Sequence, residues 1–219
     1  MALGIWQLER RVWKLTLIDR VEHRVHAAPT PAPGPKQWPS ITPESAEYLH
    51  VTVTGHFLPA NDTLVRATTE LGSGFWVMAP LQADAGFVVL INRGFVTPEQ
   101  TAATNHYSVV DPGLPIALTG LLRMTEPGGG FLRENAPAQG RWYSRDVAAI
   151  AQARQLSIVA PYFIDADASI DAAPTARSHG PVGGLTVIAF RNAHLSYAFT
   201  WLALAGLSAF AAIRVALNR

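Results

Sequence analysis

The chain has no cysteine among its 219 residues. That excludes disulfides, iron–sulfur clusters, covalent c-type haem attachment and thiolate zinc or copper sites. Charge is scarce and balanced: 15% of residues are charged, and 17 Lys or Arg stand against 16 Asp or Glu for a net charge of +1. No broad cationic surface exists to neutralise a phosphate backbone, so nucleic acid is not expected as a partner. Catalytic signatures are missing as well. Gly72-Ser73-Gly74 lacks the spacing of a hydrolase nucleophile elbow, no glycine loop runs into Lys-Ser or Lys-Thr, and no His-Glu-x-x-His motif occurs. The chain is expected not to be an enzyme. At its start only Ala2 to Trp6 precede a charged stretch, too short for the apolar core of a secretory signal.

Apolar sequence, by contrast, is plentiful at 49% of residues. Ala193 to Ile213 form a run with no acidic or basic residue except His194 near its head, closed by Arg214. At about 1.5 Å of rise per residue this run makes a helix of roughly 31 Å, the hydrocarbon thickness of a bilayer. Tyr197 and Trp201 suit one headgroup level, and Arg214 and Arg219 hold the other end in water. Ala205 and Ala209 form a small-xxx-small pair that allows another helix to approach closely.

At the other terminus, Leu8, Val12, Leu15, Val21 and Val25 recur mostly three or four apart between Glu9, Arg10, Arg11 and Lys14. Residues 1–27 are thus expected to be an amphipathic helix with an abrupt start. Pro29, Pro31, Pro33 and Pro35 make 28–39 an extended, Pro-rich connector. Between 40 and 190, seven β-rich runs alternate with Gly, Pro, Asn and Asp: 48–57, 63–68, 75–79, 87–96, 116–123, 158–164 and 185–190. Leu49, Val51 and Val53 alternate with His50, Thr52 and Thr54, the period of a strand with one wet face, which favours antiparallel pairing. One interior helix follows Ser144, a good N-cap, and reaches about Gln155. Pro127 to Gly130 and Asp165 to Gly180 read as loops. The expected fold class is α+β: an antiparallel β-rich domain with one short interior helix, an N-terminal amphipathic helix, and a C-terminal transmembrane helix over 193–213.

Six short stretches, in order, carry a resemblance. They are Leu3-Gly4-Ile5-Trp6-Gln7-Leu8-Glu9-Arg10-Arg11-Val12-Trp13-Lys14; Pro80-Leu81 with Leu90-Ile91-Asn92-Arg93-Gly94-Phe95-Val96; Gly120-Leu121-Leu122-Arg123 with Glu126; Asn135; Trp142-Tyr143-Ser144-Arg145-Asp146; and a tail. The tail comprises Pro181-Val182-Gly183-Gly184-Leu185-Thr186, Arg191-Asn192-Ala193-His194-Leu195-Ser196-Tyr197-Ala198 and Thr200-Trp201. Together they resemble the surfeit locus protein 1 family of cytochrome oxidase assembly factors. The resemblance implies an inner-membrane protein whose β-rich domain lies on the periplasmic side and whose residues 1–27 continue a truncated first transmembrane segment. It implies as partners the oxidase catalytic subunit and haem a synthase, and as cargo haem a, bound through a histidine at the head of the second membrane helix. That histidine is His194 here. Chemistry agrees with that assignment: neutral imidazole is an axial ligand of haem iron, and low dielectric disfavours the charged ring. The alternative is that His194 simply sits at the interface and hydrogen-bonds the domain.

Arg191, Tyr197 and Trp201 fall three and seven positions from His194 and share its helix face. Arg191 could pair with a haem propionate while Tyr197 and Trp201 pack on the macrocycle; the alternative is an ordinary interfacial belt. Asn92-Arg93-Gly94 reads as a strand end in a tight turn, and its role as a partner contact rests on the resemblance alone. His23, His26, His50 and His56 lack a third ligand at metal spacing, and His179 is the candidate second axial ligand. The competing overall reading is a scaffold that steadies oxidase subunits without touching haem.

Overall fold

The computed structural model describes residues 2–59, 62–103, 114–130, 132–167, 181–185 and 194–218. The chain divides into two compact units, Arg24–Thr186 and the combination of Met1–His23 with Val187–Arg219.

The larger unit is built on seven strands: β1 (Thr30–Pro31), β2 (His50–Phe57), β3 (Thr63–Thr69), β4 (Gly72–Ala83), β5 (Val88–Val96), β6 (Ile116–Met124) and β7 (Val159–Ala166). Their order is β1-β2-β6-β7-β5-β4-β3, and β2 also pairs with β4. That extra pairing joins β2, β6, β7, β5 and β4 into a closed ring, flanked by β1 and β3. The ring closes at Gly55, which faces Ala83 across β2 and β4; a Cβ there would collide with the Gln82 carbonyl. Here glycine permits the backbones to meet.

The antiparallel expectation fails at two pairings, since β1–β2 and β5–β7 run parallel. For the second the reason is parity. Directions cannot alternate all the way around a closed ring of five strands, so at least one neighbouring pair must be parallel. The helix expectation was also too sparse: besides α4 (Val147–Ala153), the unit has α2 (Pro43–Ala46) and α3 (Pro98–Ala103). The N-cap of α4 is Asp146, whose carboxylate accepts from the Ala149 amide, and not Ser144. The 185–190 run lies almost wholly outside the described residues.

Period-two alternation sorts the side chains into two cores. Val51, Val53, Phe57, Leu81, Ile91, Leu118, Leu122, Tyr162 and Ile164 fill the barrel interior. On the outside, Met78, Leu90 and Phe163 pack against Trp142 and the Val147 and Ile150 face of α4. A five-membered barrel is too narrow for a channel, and side chains occupy it completely.

The Pro-rich connector is seated against this barrel. Thr30 and Pro31 pair with Val51 and Thr52, and the Ala32 amide donates to the Thr52 carbonyl at 2.9 Å. The Pro33 carbonyl accepts from Trp38 Nε1 at 2.9 Å and from the buried Tyr162 hydroxyl at 2.7 Å. Burial pushes the Tyr162 phenol far above its ordinary titration range, against a smaller lowering by Trp38. Trp38 then meets Phe87 edge-on, ring centroids 5.7 Å apart.

His50 fastens the chain just before the connector. One ring nitrogen lies 2.9 Å from the Ala27 carbonyl and the other 3.0 Å from Asp167 Oδ2, which also accepts from Thr119 Oγ1 at 2.6 Å. Burial would lower the imidazole pKa, but the Ala27 carbonyl and the Asp167 carboxylate together raise it above 6.5. Two acceptors face two nitrogens, so only the doubly protonated ring satisfies both. A raised folded-state pKa adds stability that is complete below about pH 6.5 and fades as pH climbs through the folded value. Thermal unfolding of the full chain across about pH 5.5 to 8.5 should therefore show a decline that His50→Gln flattens. Equal slopes would reject the latch.

In the smaller unit, α1 (Ala2–Val25) and α5 (His194–Leu217) are long helices. Along α1, Val12 and Leu15 are exposed whereas Val21 is buried. The described apolar side chains of α1 thus do not share one buried face. Within α5, Phe199–Leu217 is long and apolar enough to cross a membrane, with mean hydropathy 1.7 and none of it buried. This span lies a few residues later than 193–213 and ends past Arg214.

Candidate functional site

Two regions gather the residues singled out in the sequence. The first is a polar clasp on the outer face of the barrel. Asp165, read as the start of a loop, is the penultimate residue of β7 and only 3% exposed. Its Oδ1 accepts from Asn92 Nδ2 at 2.8 Å and from Arg145 at 3.2 Å, and its Oδ2 accepts from Arg123 at 2.9 Å. Arg123 also donates to Glu47 Oε1 at 2.8 Å, while Glu47 Oε2 accepts the Met124 amide at 2.8 Å. Arg145 reaches Glu126 through Nε at 3.1 Å and through a second, shorter bond.

Each guanidinium is further fixed by a ring, with Arg123 4.7 Å from the Tyr48 centroid and Arg145 4.6 Å from that of Phe163. Burial would raise the Glu126 carboxyl pKa, but its bonds to Arg145 and the charges of Arg145 and Arg123 hold it below the ordinary value. For Arg123, burial opposes the charged form, yet Asp165 and Glu47 more than restore it. Nearby, Asn135 Oδ1 accepts the Tyr143 and Ser144 amides at 2.8 and 3.2 Å, and its Nδ2 donates to Ser144 Oγ at 3.0 Å.

Four of the six resemblance stretches thus meet in one place, through Asn92, Arg123 with Glu126, Asn135, and Arg145. Glu47 and Asp165 complete the clasp and carried no motif of their own. The one signal available was an acidic residue directly after the apolar Tyr162-Phe163-Ile164.

Asn92-Arg93-Gly94 does not end a strand in a turn; all three lie within β5 and are buried. Asn92 faces the clasp, and its Oδ1 accepts the Gly94 amide at 3.2 Å. Arg93 alternates to the barrel side, with its guanidinium 5.3 Å from the Phe57 centroid. Gly94 has φ of +128°, and a Cβ would strike the Val182 carbonyl and Gly183 nitrogen. There the tail stretch docks: Phe95 and Val182 exchange backbone hydrogen bonds of 3.0 and 2.9 Å. These three positions therefore make internal contacts and offer no exposed surface.

The second region is the head of α5. His194 is its first residue, and Tyr197 and Trp201 follow on the same helical face, 57% and 41% exposed. Both rings are open to surrounding solvent or lipid. Arg191 and His179 lie outside the described residues.

A profile of the SURF1 family matches residues 1–206. Surfeit locus protein 1 of Mus musculus is 34% identical over 230 residues, covering 95% of this chain and 69% of its own length. The Homo sapiens protein of that name is 32% identical over 226 residues, covering 95% and 71%. A SURF1-like protein of Monosiga brevicollis is 34% identical over 220 residues, covering 94% and 79%. Matches of this extent place the chain in the SURF1 family.

Proposed function

We propose that this chain is a membrane-anchored assembly factor for haem-copper cytochrome oxidase, which binds haem a through His194 and assists its insertion into the catalytic subunit. Haem a is cargo in this reading, so the chain holds and orients without turning over a substrate. The observation that carries it is the position of His194 as the first residue of a helix whose next turns are apolar and unburied. A neutral imidazole at the head of such a helix can present a ring nitrogen to iron. Tyr197 and Trp201, exposed on that face, supply flat apolar area for a macrocycle. Arg191 would pair with a propionate. The barrel unit would face the periplasm from the inner membrane and meet the catalytic subunit and haem a synthase there.

The test is the visible spectrum of the full chain purified from cells that make haem a. Wild type should carry haem, His194→Ala should lose about tenfold or more of the haem-to-protein ratio, and Arg191→Ala should lose less. Equal colour in wild type and His194→Ala removes the ligand assignment. A colourless wild type favours the scaffold reading.

A further inference from the structure

Five of the arginines of the barrel unit fall into two groups. Arg123 and Arg145 are neutralised by carboxylates, and Arg154 donates to Thr63 Oγ1 at 2.9 Å and to the Asp62 carbonyl at 2.6 Å. Arg66 and Arg133 have no carboxylate oxygen within 4.0 Å among the described residues. Aromatic rings position them instead. The Arg66 guanidinium lies 5.9 Å from the centroids of both Phe75 and Tyr143, and that of Arg133 lies 5.5 Å from Tyr143. Stacking fixes the orientation of a guanidinium but leaves its charge uncompensated and its in-plane donors open.

These groups line a cleft of about 420 Å³. Its floor is one face of the β3–β4 hairpin, where Arg66 sits opposite Phe75 and Thr68 opposite Ser73 in register. Arg133 and Tyr143 close it from the segment that follows β6. Two cations held beside one ring repel each other, and an anion bound by both relieves that repulsion. Two planar forks, two hydroxyls and an aromatic wall match an oxyanion carried on a flat apolar body.

We infer that the Arg66–Arg133 cleft is a binding site for a carboxylate- or phosphate-bearing ligand, free or as a lipid headgroup. The site is independent of the haem reading, since none of its residues belongs to α5, and either can fail without the other.

The test is isothermal titration of the full chain in a zwitterionic detergent with phenyl phosphate and with phthalate. Wild type should bind at least one with a Kd of about 1 mM or tighter. Arg66→Gln and Arg133→Gln should each weaken it about tenfold or more, and Arg→Lys at either position should restore only part, because the charge returns without the fork. Both side chains are exposed, and an unchanged circular dichroism spectrum shows that the variants fold. Repeating the titration with phosphatidylglycerol in the micelles, against phosphatidylcholine, separates the sources. Competition by phosphatidylglycerol alone assigns the cleft to an anionic headgroup, and its absence assigns a free anion. No binding of either probe by wild type up to about 10 mM, or equal binding by the glutamine variants, overturns the site.

Discussion

Asp165→Asn should destabilise the full chain by about 3 kcal/mol, the largest effect of any single change in the clasp. The carboxylate is 3% exposed and bridges Arg123, Arg145 and Asn92. Asparagine keeps the volume but removes the charge and turns one oxygen into a donor, which then points at donors. Both guanidiniums keep one acid each, Glu47 and Glu126, so the loss is of a shared buried acceptor and not of all compensation. Glu126 provides the contrast, because its side chain is 41% exposed and water can replace what Gln would lose. Glu126→Gln should cost about 1 kcal/mol or less. Denaturant unfolding followed by tryptophan fluorescence reads both. An Asp165→Asn midpoint matching that of Glu126→Gln would show that burial does not set the strength of the clasp.

Gly94→Ala should release the tail stretch from the barrel. The backbone conformation at φ +128° is one that side-chain-bearing residues rarely adopt, and the added methyl has backbone atoms of Val182 and Gly183 in its way. Neither neighbour is a flexible side chain end, so the chain must move. The expected loss is about 2–4 kcal/mol, made of backbone strain and the two hydrogen bonds between Phe95 and Val182. Hydrogen exchange localises it. The Val182 amide should exchange about a hundredfold faster while that of Val53, deep in the barrel, keeps most of its protection. Unchanged exchange at Val182 would mean that β5 absorbs the methyl elsewhere. Because Pro181–Leu185 leads in sequence to His194, the same variant asks whether anchoring of this stretch matters for haem loading.

Local pattern carried much of the secondary structure. β-rich runs bounded by Gly, Pro, Asn and Asp place β2, β3, β5, β6 and β7 within two residues of their observed ends, and an apolar run marks α5. β4 was read at less than half its length because Gly72, Ser73, Gly74 and Pro80 lie inside it, residues that elsewhere punctuate turns. The family motifs were legible as well, but their meaning was not. Asn92, Arg123 and Arg145 stand in separate motifs along the sequence, and only the folded chain brings them together around Asp165.

Composition and periodicity alone determined the absence of thiol chemistry, the β-rich character of the domain and the apolar C-terminal helix, because each depends on residues a few positions apart. Tertiary structure alone decided the closed mixed barrel, the seated connector and the clasp. The bonds from Asp165 span 73 positions to Asn92 and 42 to Arg123, separations at which no local spacing rule operates. The same holds for the arginines: Arg145 and Arg133 differ little in sequence surroundings, and only closure of the chain gives one a carboxylate and leaves the other facing an open cleft.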